Sequence, residues 1–223
     1  LAINKPAGLL VHGTSDKRHL ADDTLASWLL RRYPELRAVG DDPVLRPGIV
    51  HRLDRETSGV ILIARSEESF LYFKKLFQNR EMVKTYLAVV WGSVKRDHGI
   101  VDTPIGLMPG TTKRSTRAKR MKMVKEAVTE YRVLRRGEKN GEAHTLLEVS
   151  PKTGRTHQIR VHLASLGHPI IGDTLYGAKR RTLIANRKLP GTRLMLHAFS
   201  LEFTTPEGRR IKVEAEAPPE FRL

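Results

Sequence analysis

The run GVILIAR, Gly59–Arg65, constrains the fold more than any other stretch of this chain. It is continuously apolar up to its last residue, so it reads as a buried strand. Directly before it stands HRLDRETS, in which Arg52, Asp54, Arg55 and Glu56 are all charged. The chain therefore passes from a charged loop into the core within a few residues. Asp54 is placed at the mouth of that core rather than on an open surface. A carboxylate there needs a cation, because burial raises its pKa and a nearby arginine lowers it. In an extended segment neighbouring side chains alternate faces, so Arg52 and Arg55 point away from Asp54 and the partner must come from elsewhere.

Other segments set the class. LAIN is a short strand ended by the turn KPAG. DDTLASWLLRRY has acidic caps and Leu25, Trp28 and Leu29 at helical spacing, with Pro34 ending the helix. SEESFLYFKKLFQNR is an amphipathic helix capped by Ser66. KTYLAVVWG is a strand closed by glycine. AVTEYRVLRR and AHTLLEVS are strands joined by a turn at GEKNGE. THQIRVHLASLG is a helix capped by Thr156, with Ile159, Leu163 and Leu166 on one face and Gly167 closing it. RLMLHAFSLEFTTPEGRRIKVEAEAP is a strand, a Pro-Glu-Gly turn and a second strand. Strands outnumber helices and do not alternate regularly with them. The expected class is α+β, with a largely antiparallel mixed sheet and flanking helices, as a single domain over 1–223.

Charge narrows the function. The 223 residues carry 40 Lys and Arg against 24 Asp and Glu, a formal net charge of +16, so the surface attracts polyanions. Two basic blocks stand out. KRSTRAKRMKMVK begins at Lys113 and Arg114; AKRRTLIANRK spans 178–188. Both read as segments that track nucleic acid and are partly disordered until bound. No apolar run approaches the ~18 residues of a membrane span, so no membrane association is expected. Cysteine is absent, which excludes disulfide and thiolate chemistry and fits a reducing, cytoplasmic setting. The chain opens without Met, as a processed protein or a fragment would, and a monomer is expected.

Four constellations could carry chemistry. Asp54 is the first. The second is TGRTHQIRVH, Thr153–His162, which puts Arg155 at the mouth of a helix and Arg160 in its first turns. Cations there oppose the helix dipole, so an anion is expected beside them: Asp54, a phosphate, or one of each. His157 and His162 are five apart, not the four that would put two metal ligands on one helical face. They read as core or phosphate-contacting histidines. Third, Tyr86 lies on one strand face with Ala88 and Val90; it is either core or a stacking partner for an extruded base. Fourth, NKPAG is a tight turn whose Lys5 could reach a phosphate.

Together these motifs resemble the RluA family of RNA pseudouridine synthases. NKPAGLLVH, HRLDRETSGVILIAR, KTYLAVVWG, SPKTGRTHQIRVHLASLGHPIIGDTLYG and RLMLHA resemble that family's motifs in order along nearly the whole chain. The lead-in LRPGIVHRLD is similar to the branch acting on large-subunit ribosomal RNA. The resemblance implies the pseudouridine synthase catalytic fold and isomerisation of uridine in structured RNA. It implies Asp54 as the essential aspartate, Tyr86 against the target base, and Arg160 paired with Asp54. Arg52 would stabilise the flipped-out state, Ile159 would line the base pocket, and Arg155 would make a phosphate or structural contact. Two departures concern RNA-site selection: Val124 stands where the family often has glycine, and the basic insert before it is long. Many relatives also carry an S4-type RNA-binding domain ahead of the catalytic one, which this chain does not include.

Such an isomerisation involves no redox change and no net hydrolysis, so neither metal nor cofactor is expected. An inert RNA-binding or ribosome-assembly module is the main alternative. A nucleosidase would need a positioned carboxylate pair, and Glu56 beside Asp54 has nothing to position it as an acid.

Overall fold

A computed structural model describes residues 1–13, 24–117, 121–139, 141–177 and 193–222. Two compact units are distinguished: 1–83 with 198–216, and 84–197 with 217–223. Each is described in turn. The basic block at 178–188, residues 118–120 of the first block and the expected acidic caps Asp22 and Asp23 lie outside the described residues.

In the first unit, β1 (Ala2–Lys5) pairs antiparallel with β2 (Ser58–Leu62), and all five residues of β2 are buried, as the apolar run requires. Helix α1 (Leu25–Arg32) opens on Thr24, whose side chain accepts from the Ser27 N–H while Ser27 caps back. Leu25, Ala26 and Leu29 are its buried face. Trp28, expected on that face, is exposed and meets the edge of Tyr33 at 6.0 Å. Helix α2 (Glu67–Gln78) has Ser66 as N-cap in a capping box with Ser69, as the sequence indicates. Its Leu76 packs with Val60, Leu62 and Met82. Two further strands, β10 (Leu196–Thr204) and β11 (Arg210–Glu214), form an antiparallel hairpin and add Leu201 and Ala215 to this core. Gly59 cannot carry a side chain: its φ is +116° and a Cβ would stand 2.2 Å from the Ala198 carbonyl oxygen.

In the second unit, β3 (Val83–Trp91), β9 (Glu142–Pro151), β8 (Val128–Lys139) and β4 (His98–Asp102) follow one another in the sheet, every pairing antiparallel. β8 runs on through Gly137, opposite His144, so the β8–β9 connection is tighter than the GEKNGE turn expected from the sequence. Helix α3 (Gln158–Ser165) lays Ile159 and Leu163 against Ala88, Val90, Leu147 and Val149. Leu166, expected on the same face, is exposed at the C-cap.

Part of the first basic block, expected to be partly disordered until bound, is regular strand. β6 (Arg114–Ser115) and β7 (Lys122–Lys125) pair antiparallel with β5 (Ile105–Leu107) as a separate small sheet. No alternation betrays it in the sequence, because all four side chains of β7 are exposed. Its anchor is Ile105, buried with Ala127 and Val161.

Candidate active site

Asp54 sits on a turn, not on an extended segment. The Thr57 N–H donates to the Asp54 carbonyl at 3.1 Å, Leu53 is buried beneath, and the Asp54 side chain is half-buried. Strand alternation therefore does not set the directions of Arg52 and Arg55. The turn is instead laced to KPAG: Gly8 N–H donates to Arg55 O at 2.9 Å, and Arg55 Nε donates to Gly8 O at 2.9 Å. His51 fixes the approach by accepting from the Leu62 N–H at 2.8 Å and stacking on Phe77 at 4.6 Å. Arg52 is exposed, with Nη1 donating to His12 Nε2 at 3.1 Å. His12 Nδ1 donates to Gly13 O, so this imidazole is neutral; burial is the main cause of its lowered pKa.

Lys5 is not available to a phosphate. It is 0% exposed, and its ammonium donates to the carbonyls of Pro6, Leu9 and Arg55 at 2.8, 2.8 and 3.0 Å. It is a clamp under the turn that carries Asp54. Burial lowers its pKa from the usual 10.5 to about 8, opposed by the negative charges of Glu56 and Asp54. The unfolded chain then holds more protons than the folded one between about pH 8 and 10.5, so this residue's contribution to stability rises with pH through that window. Lys5→Met should remove that rise and, by taking the ammonium donor from the Pro6 and Leu9 carbonyls and leaving Arg55 O with the Gly8 N–H alone, destabilise the chain at pH 7 by about 1–3 kcal/mol. Urea unfolding of both proteins from pH 7 to 10.5 checks this; parallel stability curves would contradict the clamp.

In the second unit, Tyr86 is half-buried in β3 opposite Val149, and Ile159 belongs to the core cluster against which Tyr86 packs. The segment leading into α3 differs from expectation. The N-cap is His157, not Thr156, in a left-handed conformation with φ of 57°. No side chain caps the helix, and buried Gln158 instead ties down the segment before it. Its Oε1 accepts from Thr153 Oγ1 at 2.6 Å and from Arg155 N–H at 3.0 Å, and its Nε2 donates to Val128 O and Thr129 Oγ1. Arg155 makes the structural contact, Nε to Glu126 O at 2.9 Å. His162 is buried, with Nε2 donating to Thr103 O at 3.0 Å and Nδ1 accepting from Thr129 Oγ1 at 2.9 Å. Burial lowers its pKa, and it is a neutral core residue rather than a phosphate contact.

Arg160, 5% exposed, has an anionic partner the sequence reading did not name. Nε and Nη2 donate to the two oxygens of Asp173 at 2.8 and 2.9 Å, a bidentate pair whose carboxylate is fully buried. Asp173 Oδ1 also accepts from the Leu175 and Tyr176 N–H groups. Burial alone would raise the Asp173 pKa; the Arg160 bonds and charge, with those two N–H groups, outweigh it and hold the carboxyl below its usual range. The Tyr176 ring covers the Arg160 guanidinium, 5.3 Å from centroid to Cζ. Its hydroxyl accepts from the Arg114 N–H at 3.0 Å and bonds His157 Nδ1 at 2.9 Å. Lys113 is half-buried, and its carbonyl accepts from Met108 N–H.

This is an α+β fold with motif-bearing turns in both units. It is similar to the human RNA pseudouridylate synthase domain containing 1 structure, with a TM-score of 0.77 and 28% identity over 98% of this chain and 80% of that one. The RNA pseudouridylate synthase family model matches residues 1–165. A protein of Aquifex aeolicus named as an RNA pseudouridine synthase is 43% identical over 99% of this chain. Ribosomal large subunit pseudouridine synthase D of Nitrosomonas europaea is 42% identical over 95% of it. The chain spans 67% and 57% of those two relatives' own lengths. It belongs to the RNA pseudouridylate synthase family, in its RluA group. Among the described residues no helix is long and apolar enough to cross a membrane.

Proposed function

We propose that this chain isomerises uridine to pseudouridine in structured RNA, with large-subunit ribosomal RNA as the substrate class. In that reaction the N1–C1′ bond breaks, the base turns and a C5–C1′ bond forms. The C5 proton leaves to solvent and N1 gains one. The base must first leave its stack, which costs a few kcal/mol, and contacts of a +16 chain with phosphates offset that cost. Asp54 supplies the carboxylate, either adding covalently or taking the C2′ proton; both routes need it ionised. Tyr86 lies against the target base, and Arg160 is the third catalytic residue. Arg52 steadies the extruded state. The protein acts as a cytoplasmic monomer.

The observation that carries this reading is the clamped turn in a chain of this family. Asp54 is half-buried on a tight turn that buried Lys5 fixes from beneath. A carboxylate serving only to cap or solubilise would not need such rigid support. Large-subunit ribosomal RNA transcribed with C5-tritiated uridine is the test. Tritium release matched mole for mole by pseudouridine is expected. Release of free uracil would instead indicate a nucleosidase, and RNA binding without tritium release an inert module.

A further inference from the structure

We infer that Asp173 and Tyr176 are positioning residues for Arg160: the carboxylate fixes the direction of the guanidinium fork and the ring fixes its plane. The inference rests on the proposed role of Arg160 and adds two residues to it.

A guanidinium has two flat faces and a set of donors in one plane, so three things must be fixed to aim it: one edge, one face and the stem. The stem is set by the third residue of α3, whose neighbours Ile159 and Val161 are buried in separate clusters on either side. The edge formed by Nε and Nη2 is held by both oxygens of Asp173. Asp173 cannot swing, because Oδ1 also accepts two backbone N–H groups from its own turn. The face is covered by Tyr176. That ring is itself held at its hydroxyl, by Arg114 N–H of β6 and by His157, the left-handed residue that opens α3. What these contacts leave to define is the direction of the Nη1 edge, which the Asp173 fork sets.

A salt bridge that served only stability would need no such triple definition. A positively charged side chain near a helix N-terminus is also a poor choice for stability alone, since the helix dipole disfavours it. A buried pair used to aim a charge accounts for both features.

The test uses the whole chain and the tritiated ribosomal RNA transcript, under single-turnover conditions well below each variant's melting temperature. Asp173→Asn should slow isomerisation about 100-fold, the scale of a misplacement near 1 Å, with RNA affinity within about threefold of wild type. Tyr176→Phe keeps the ring over Arg160 and should stay within about fivefold. Tyr176→Leu removes the ring and should lose more than tenfold. Arg160→Ala supplies a readout that folding alone does not move. Added methylguanidinium should restore part of its activity when Asp173 is present and none when Asp173→Asn is combined with it. Equal rescue in both backgrounds overturns the inference, as does an Asp173→Asn protein that turns over at the wild-type rate. If instead Asp54→Asn retains activity, it is the underlying functional reading that fails.

Discussion

Asp54→Asn binds the RNA transcript within a few fold of wild type and yields no pseudouridine, a loss of about 10^4-fold or more in single-turnover rate. The size follows from chemistry that has one carboxylate at its centre: an amide neither adds to a sugar or base carbon nor removes the C2′ proton at neutral pH. The structure explains why folding should survive. The turn is held by the Asp54 main-chain carbonyl, by the Lys5 bond to Arg55 O and by the reciprocal Gly8–Arg55 pair, none of which uses the Asp54 carboxylate. Leu53 and Thr57, on either side, are buried and unchanged. Circular dichroism and filter binding would establish fold and affinity, and tritium release the chemistry. An Asn variant that still made pseudouridine would remove Asp54 from the reaction.

How much of this was legible in the sequence differs by type of evidence. β2 and α2 could be read directly, because a continuous apolar run and a Ser66-led amphipathic segment each have one physical reading. The turn at Asp54 could not: periodicity arguments assume regular backbone, and Lys5 reaches Arg55 across 50 residues of sequence. Lys5 looked like a surface cation because lysine usually is one. The only hint otherwise was its place at the end of a strand feeding a Pro-Gly turn, where several carbonyls converge. Trp28 failed for the opposite reason, since helical spacing alone does not distinguish the core face from its margin. Thr156 obeyed the capping preference, yet the helix opens at His157 without a side-chain cap.

The anion beside Arg160 was anticipated as a physical need, but Asp173 was not named. In sequence it reads as an ordinary turn aspartate in GDTLYG, and its two bonds to Leu175 and Tyr176 N–H are those of such a turn. What distinguishes it is that the same oxygen also receives the guanidinium, and that is a fact of tertiary packing.

Arg160→Met is the second large effect, expected in stability as well as activity. The substitution keeps an apolar stem of similar length but leaves the Asp173 carboxylate buried without its cation. Breaking a buried pair in this way costs about 3–5 kcal/mol. For a chain of 223 residues that is roughly 10 °C in melting temperature. The pH dependence identifies the cause. In the wild type Asp173 has a lowered pKa, so its contribution is present above the usual carboxylate value near 3.8 and is lost as pH falls through the lower folded value. In the variant the arginine's opposing influence is gone and burial, the largest contributor, pushes the carboxyl up. The penalty then belongs to the charged form and is relieved as the group takes a proton. The stability gap between the two proteins should therefore be full at pH 7 and narrow as pH falls toward 4. Asp173→Asn combined with Arg160→Met, which removes the orphaned charge, should recover part of the loss at pH 7. Thermal melts of the three proteins at pH 7, 6, 5 and 4 would show it. A gap that is the same at every pH, with no recovery in the double variant, would mean that the lost packing of the arginine stem, and not the uncovered carboxylate, sets the cost.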